Sequence, residues 1–167
     1  MAKAELISAI AKEKAAQIVK MAEADLNKLP IQKEIDMLQT LFEGIHQDSM
    51  LELVLSSLPE EARSSGTDTV QQLNQKLKGT LRHFSLIPPG GGGILAHSLA
   101  HIASWLKVDN CLAEGKLAEA AAALEEGVKG SKAEEIVNEW VRCARNRAIS
   151  EQAVTLLQSY ATCASLT

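Results

Sequence analysis

Aromatic residues are scarce in this 167-residue chain, which contains two Phe, two Trp and one Tyr. Apolar residues nevertheless make up 46% of it, and Leu, Ile and Ala supply most of them. Because aromatic and β-branched residues favour strands whereas Leu and Ala favour helices, this composition excludes an all-β fold. It predicts a helix-rich globular protein that is long enough to bury a hydrophobic core.

Positive charge is also in short supply. Lys and Arg number 17 against 21 Asp and Glu, which gives a formal net charge of −4. A surface with this balance does not neutralise a phosphate backbone, so we predict no nucleic-acid partner. Contact with an anionic membrane would have to be local.

Cysteine is represented by three residues, Cys111, Cys143 and Cys163. Their wide spacing fits neither a redox pair nor a set of zinc ligands, and the odd count argues against a disulfide framework. We expect them to be small core or boundary residues.

Long apolar runs are missing as well. A stretch without Asp, Glu, Lys or Arg extends from Phe84 to Leu106, but two prolines and the glycines at 90–93 divide it. The remaining apolar segment is too short to cross a bilayer, so no membrane span is predicted. The first residues have neither the apolar block of a signal peptide nor the pattern of a transit peptide.

The apolar periodicity predicts an all-α fold whose first part is coiled-coil-like. Residues 1–29 read as the end of a coiled coil, with an Ala-rich stripe on one face. Residues 30–89 read as connecting helices that begin at Pro30, at the capping box opened by Ser49, and at Asp68 with Gln71 three residues later. Pro59 and the polar run up to Gly66 are expected to be non-helical. The stripe consists of Ile7, Ala11, Ile18, Ala22 and Leu29.

The glycines at 90–93 are predicted to be a linker, followed by a C-terminal helical domain over residues 94–167. Turns at Gly115 and Gly130, a capping box from Ser131 to Glu134 and an N-cap at Ser150 divide this domain into four helices. We expect them to form a small bundle of two helical hairpins. The third helix is expected to point Ile136, Val137, Trp140, Val141 and Ala144 inward.

No constellation of residues indicates catalysis. His97 and His101 lie one helical turn apart, but the segment offers no third metal ligand. The glycine run lacks the Lys-Ser/Thr of a phosphate-binding loop, and adjacent carboxylates diverge around a helix. We therefore predict no catalytic residue, no cofactor and no metal.

Two surfaces are candidate binding sites. The apolar face of the last predicted hairpin exceeds what a helical pair can cover internally, which favours a partner-binding role for Trp140, Leu156, Leu157 and Tyr160. A basic helix face formed by Lys76, Lys78, Arg82 and His83 could lie on an anionic membrane, but a solvated face of a core helix is the favoured explanation.

Five stretches from Leu81 onward resemble, in the same order, parts of the C-terminal signature domain of the mitofilin family, particularly of its plant forms. The segment from Ala96 to His101, which follows the prolines and glycines, also resembles the plant forms. Residues 31–69 resemble the segment upstream of the domain. These stretches are Leu81 to Pro89, Gly115 to Ala121, Lys129 to Glu135, Trp140 to Arg145 and Leu156 to Ala161.

The resemblance implies a non-catalytic scaffold of the mitochondrial contact site and cristae organising system (MICOS). Such a protein faces the intermembrane space from the inner membrane, binds a CHCH-domain subunit, self-associates and helps to form crista junctions. The targeting peptide, the membrane span and most of the coiled coil would lie outside this chain. Compared with the family, the chain is shortened near Asn27, where it lacks the membrane-binding amphipathic helix that the family carries, and near Trp105 to Val108.

An alternative interpretation is a soluble adaptor of the tetratricopeptide type that binds a peptide or a partner helix. The helix-glycine-helix pattern from Leu112 to Ala120 is typical of such hairpins. However, no period of about 34 residues recurs along the chain, which argues against a solenoid.

Overall fold

The computed structural model describes residues 2–25, 31–43, 49–85, 106–131 and 133–166. These residues are mostly helical and contain no extended β-strand, so the all-α prediction is confirmed. The helices are α1 (Ala2–Asp25), α2 (Gln32–Glu43), α3 (Ser49–Ser57), α4 (Glu60–Ser65), α5 (Val70–Ser85), α6 (helical at 106–113), α7 (Leu117–Val128) and α8 (Ala133–Leu166).

The chain divides into two compact units. The first unit combines Met1–Thr67 with Ile149–Thr167, and the second unit is Asp68–Ala148. The predicted boundary at the glycines 90–93 lies outside the described residues and stays a prediction.

The core of the first unit is formed by α1, α2, α3 and the C-terminal half of α8. Ile18 and Ala22 of the predicted α1 stripe are buried, so this part of the stripe packs inside the first unit. The side chains of Ile7, Ala11 and Leu29 lie outside the described ones. The core residues are Ala15, Ile18, Val19, Ile31, Ile35, Leu38, Val54, Leu55, Leu58, Ala153, Val154 and Leu157.

The short helix α4 corrects the prediction of a non-helical polar run after Pro59. Glu60 and Glu61 lie in its first turn, where negative charge stabilises a helix N-terminus. Arg63 reaches back and donates hydrogen bonds to the carbonyl oxygens of Leu55 and Leu58. These carbonyls lie at the C-terminal end of α3, so α4 also caps the helix before it.

The second unit is built from α5, α6, α7 and the N-terminal half of α8. Its turns are those predicted from glycine, since Gly115 and Gly130 have φ values of +74° and +72°. Residues with a side chain rarely adopt this conformation. The inward residues predicted for α7 are all buried: Leu117, Ala120, Ala121, Leu124 and Val128.

A capping box opens α5, one residue later than predicted. The Thr69 amide donates to Gln72 Oε1 at 2.9 Å, and the Gln72 amide donates to Thr69 Oγ1 at 3.2 Å. The predicted pair of Asp68 and Gln71 is therefore wrong. Asp68 instead forms an ion pair with Lys76, two turns along the helix.

Replacing Thr69 by alanine is expected to lower the free energy of unfolding by about 1 kcal/mol, because the Gln72 amide loses its capping oxygen. Urea denaturation measures the change. Thr69→Ser is the matched control, since serine keeps that oxygen and should cost much less. Equal losses for both variants would contradict the capping role of the hydroxyl.

The helix α8 corrects the predicted pair of C-terminal helices. It runs over 34 residues without interruption, and Ser150 lies fully buried inside it instead of capping a new helix. The sequence of α8 contains neither glycine nor proline, so no residue in it forces the backbone out of the helix. The predicted C-terminal hairpin is therefore absent.

Candidate partner-binding groove

The structure distributes the four predicted partner-binding residues over the two units. Trp140 belongs to the second unit, whereas Leu156, Leu157 and Tyr160 belong to the first unit. Trp140 and Leu157 are buried, Tyr160 is half-buried and Leu156 is 44% exposed. Within this chain, Leu156 therefore offers the most accessible apolar surface of the four. Partner binding by this set stays a prediction.

A surface groove lies between α5 and α8 in the second unit. It has a volume of about 540 Å³, is open to solvent and has a predominantly apolar lining. Trp140 contributes to this lining although most of its side chain is packed into the core. We call this feature the α5/α8 groove, lined by Lys76, Gly79, Thr80, Ile136, Glu139, Trp140 and Cys143.

A buried hydrogen bond fixes the two walls of the groove to each other. The indole Nε1 of Trp140 in α8 donates to the carbonyl oxygen of Leu73 in α5 at 2.7 Å. Trp140 is 3% exposed and Leu73 is fully buried, so the bond lies in the core of the unit. Because buried bonds of this kind are costly to leave unmade, the spacing of the walls is well defined.

Ile136 gives the groove apolar surface, and the absence of a side chain at Gly79 leaves the groove open. Ile136 is 48% exposed, which corrects the prediction that it points into the core. A Cβ atom added at Gly79 would meet nothing within 4 Å, so the α5 wall is open at this point. Ile136, Trp140 and Cys143 follow at steps of four and three residues, the spacing of one helix face.

The charges at the rim of the groove are paired within the chain. Lys76 Nζ lies 2.5 Å from Asp68 Oδ2, and Arg142 contacts both carboxylate oxygens of Glu139 at 3.2 and 2.7 Å. Hydrogen bonding to Asp68 raises the pKa of Lys76, and hydrogen bonding to Arg142 lowers the pKa of Glu139. Arg142 and Glu139 are both largely exposed, so their pair contributes little stability, whereas the Asp68 side chain is only 12% exposed. The effect of both pairs is to present a rim without net charge around an apolar surface.

Cys143 lies in this groove as a half-buried thiol. Burial raises the pKa of Cys143, and the neighbouring Glu139 carboxylate raises it further. The thiol donates to Glu139 Oε1 at 3.5 Å. A thiol held in its protonated form is a poor nucleophile, which is the reverse of what a catalytic cysteine needs. Cys111 is buried, and the Cys163 side chain is outside those described.

The predicted basic face of α5 is described in part. Lys76 and Lys78 are exposed, and Lys76 is the residue that pairs with Asp68. The side chains of Arg82 and His83 lie outside the described ones. Membrane contact by this face stays a prediction.

Within the described residues, no group of three or more His, Cys, Asp and Glu side chains is arranged to hold a metal ion. His97 and His101 lie outside these residues. Likewise, none of the helices in the described parts of the chain has the length and hydropathy required to cross a membrane.

The family described as "Mitofilin: Mitochondrial inner membrane protein" matches residues 4–110 and 106–162. A protein of Arabidopsis thaliana named "MICOS complex subunit MIC60, mitochondrial" is 63% identical over 224 aligned positions, which include all of this chain and 34% of that protein. The chain thus spans about a third of the length of this relative. No solved structure matches.

The alignment is longer than the chain, so the relative holds residues that have no counterpart here. The two parts of the family match meet at residues 106–110, beside the shortening expected at Trp105 to Val108. The positions of the two shortenings, near Asn27 and near Trp105, stay predictions.

Proposed function

This chain belongs to the mitofilin family, described as a mitochondrial inner membrane protein, and on that premise we propose that it is part of a non-catalytic scaffold that helps to form and maintain crista junctions. In this role it faces the intermembrane space, binds a CHCH-domain subunit of the MICOS complex and associates with further copies of itself. Local contact with the membrane surface through α5 is a secondary part of the proposal.

The observation that carries the proposal is the α5/α8 groove. Helical partners bind in apolar grooves through residues spaced along one helix face, and the groove offers Ile136 and the edge of Trp140 for such contacts. Its rim charges are already neutralised inside the chain, so an apolar helix enters without leaving an isolated charge buried. We assign this helical partner to the CHCH-domain subunit because the resemblance to the mitofilin family implies that subunit.

A non-catalytic role agrees with the chemistry of the same groove. Its cysteine is held protonated by burial and by Glu139, and its carboxylate is paired with Arg142. Neither group is placed to act as a nucleophile or as a general base. The groove is therefore suited to packing against another polypeptide.

A pull-down with the full chain tests this function. Tagged protein is incubated with intermembrane-space extract and with cytosolic extract, and the CHCH-domain subunit is detected by immunoblot. We expect capture from the intermembrane-space extract and about tenfold less capture by Ile136→Asp, because a carboxylate in the groove is desolvated when the partner binds.

Leu106→Asp is the matched control, since Leu106 lies in the same unit, is 63% exposed and does not line the groove. It should capture the subunit as well as the unmodified chain does. Failure of the unmodified chain to capture the subunit, combined with specific capture of a cytosolic helical protein, would instead favour the adaptor of the tetratricopeptide type.

A further inference from the structure

Gly79 lies in the middle of α5, where glycine is an unfavourable choice. Glycine in a helix interior is less stable than alanine, because it loses more backbone freedom on folding. The usual structural reasons for glycine do not apply here. Gly79 is helical, whereas Gly115 and Gly130 have the positive φ that favours glycine. A Cβ atom at Gly79 would meet nothing within 4 Å in the described part of the chain, so internal close packing does not require glycine either.

The space beside Gly79 belongs to the α5/α8 groove. Gly79 and Thr80 line the groove from α5, and Ile136 and Trp140 line it from α8. The groove volume of about 540 Å³ is in the range of protein sites that enclose a ligand. Since Gly79 is part of the lining, any side chain at this position would take up some of that volume. The glycine therefore keeps space free for a group from outside the described chain.

The charges around this space select an apolar occupant. Lys76 and Glu139 are the charged residues of the lining. Lys76 is paired with Asp68, and Glu139 is paired with Arg142. A charged group entering the groove would have to compete with these pairs, whereas an apolar side chain only displaces water from the apolar lining. The anchors of helical partners in such grooves are large apolar side chains.

We propose that Gly79 determines which helix the α5/α8 groove accepts: a large apolar side chain of the partner helix enters the space beside Gly79 and packs against Ile136 and Trp140. The inference rests on the proposed partner binding, and it names the point of entry and the chemistry of the anchor. Glycine at this position lowers the stability of α5 and serves the partner instead of the fold.

Two substitutions at Gly79 test the proposal on the full chain. Binding of the purified CHCH-domain subunit is measured by isothermal titration, and stability is measured as the midpoint of urea denaturation. Gly79→Leu fills the space and should weaken binding by about tenfold without lowering the urea midpoint. Gly79→Ala should raise the urea midpoint, because alanine is the better helix former, and it should weaken binding less than leucine does.

Gln75→Leu is the matched control, since Gln75 is exposed on α5 and does not line the groove, and it should bind like the unmodified chain. The proposal is overturned if Gly79→Leu binds normally, or if Gln75→Leu weakens binding equally. It is also overturned if either Gly79 variant lowers the urea midpoint, because the chain itself would then occupy the space.

The same titrations separate this inference from the proposed function. Normal binding by Gly79→Leu together with weak binding by Ile136→Asp would overturn the role of Gly79 alone. Absence of binding by the unmodified chain would overturn both the proposed partner binding and this inference.

Discussion

Replacing Trp140 by alanine is expected to lower the free energy of unfolding by about 3 to 5 kcal/mol. Trp140 is almost completely buried in the core of the second unit, so its removal leaves a cavity in that core. The variant also leaves the Leu73 carbonyl without the indole donor that it has in the native protein. Urea denaturation followed by circular dichroism measures the loss.

Two further variants divide this effect into its parts. Trp140→Phe keeps an aromatic ring but removes the hydrogen bond to Leu73, so it should retain a large part of the stability. Ile136→Ala lies on the same helix face but is half-exposed, and it should cost less than about 1.5 kcal/mol. If Trp140→Ala unfolds like the unmodified chain while partner binding is lost, Trp140 is an interface anchor and its assignment to the core is wrong.

Replacing Glu151 by proline is expected to destabilise the protein by about 3 kcal/mol or more, because α8 continues through this position. Proline has no amide hydrogen to donate to the carbonyl of Arg147, and its ring collides with that carbonyl. It also pushes the preceding Ser150, which is fully buried, out of the helical conformation.

This variant distinguishes one long helix from two shorter ones. If Ser150 were the N-cap of a separate helix, Glu151 would be its first residue, where proline is well tolerated. Glu151→Ala is the matched control, since it removes the side chain and its contacts while keeping the amide. Equal stability of the proline and alanine variants would contradict the continuous α8.

The sequence predicted the elements that local chemistry determines. The glycines at 115 and 130 end helices because the chain turns there with positive φ, and the buried row of α7 repeats at three and four residues. The end of α5 before the two prolines is also predicted by a local rule, but the residues after Ser85 lie outside the described ones, so this end stays a prediction.

The division of α8 into two helices was wrong for a physical reason. Its first buried row, which includes Val137, Trp140 and Ala144, repeats at helical spacing, and so does its second row of Ser150, Ala153 and Leu157. The step of six residues from Ala144 to Ser150 fits neither row. The first row packs into the core of the second unit, and Ala153 and Leu157 of the second row pack into the core of the first unit. The interruption of the pattern therefore marks the point where one continuous helix passes from one core to the other.

The α5/α8 groove could not be predicted from local patterns. Its two walls are far apart in the sequence, and the hydrogen bond from Trp140 to the Leu73 carbonyl connects them only in the folded chain. The sequence analysis predicted Trp140 to be a partner-binding residue. In the structure, most of the Trp140 side chain is buried in the core, and only a small part of it lines the groove. The exposure of Ile136 depends on how α5 packs against α8, and helical periodicity alone does not determine this packing.

Isothermal titration of the purified full chain with the purified CHCH-domain subunit tests the proposed scaffold function most directly. We expect saturable binding that Ile136→Asp weakens by about tenfold and that Leu106→Asp leaves intact. Absence of binding by the unmodified chain, or equal binding by both aspartate variants, would contradict a partner site in the α5/α8 groove.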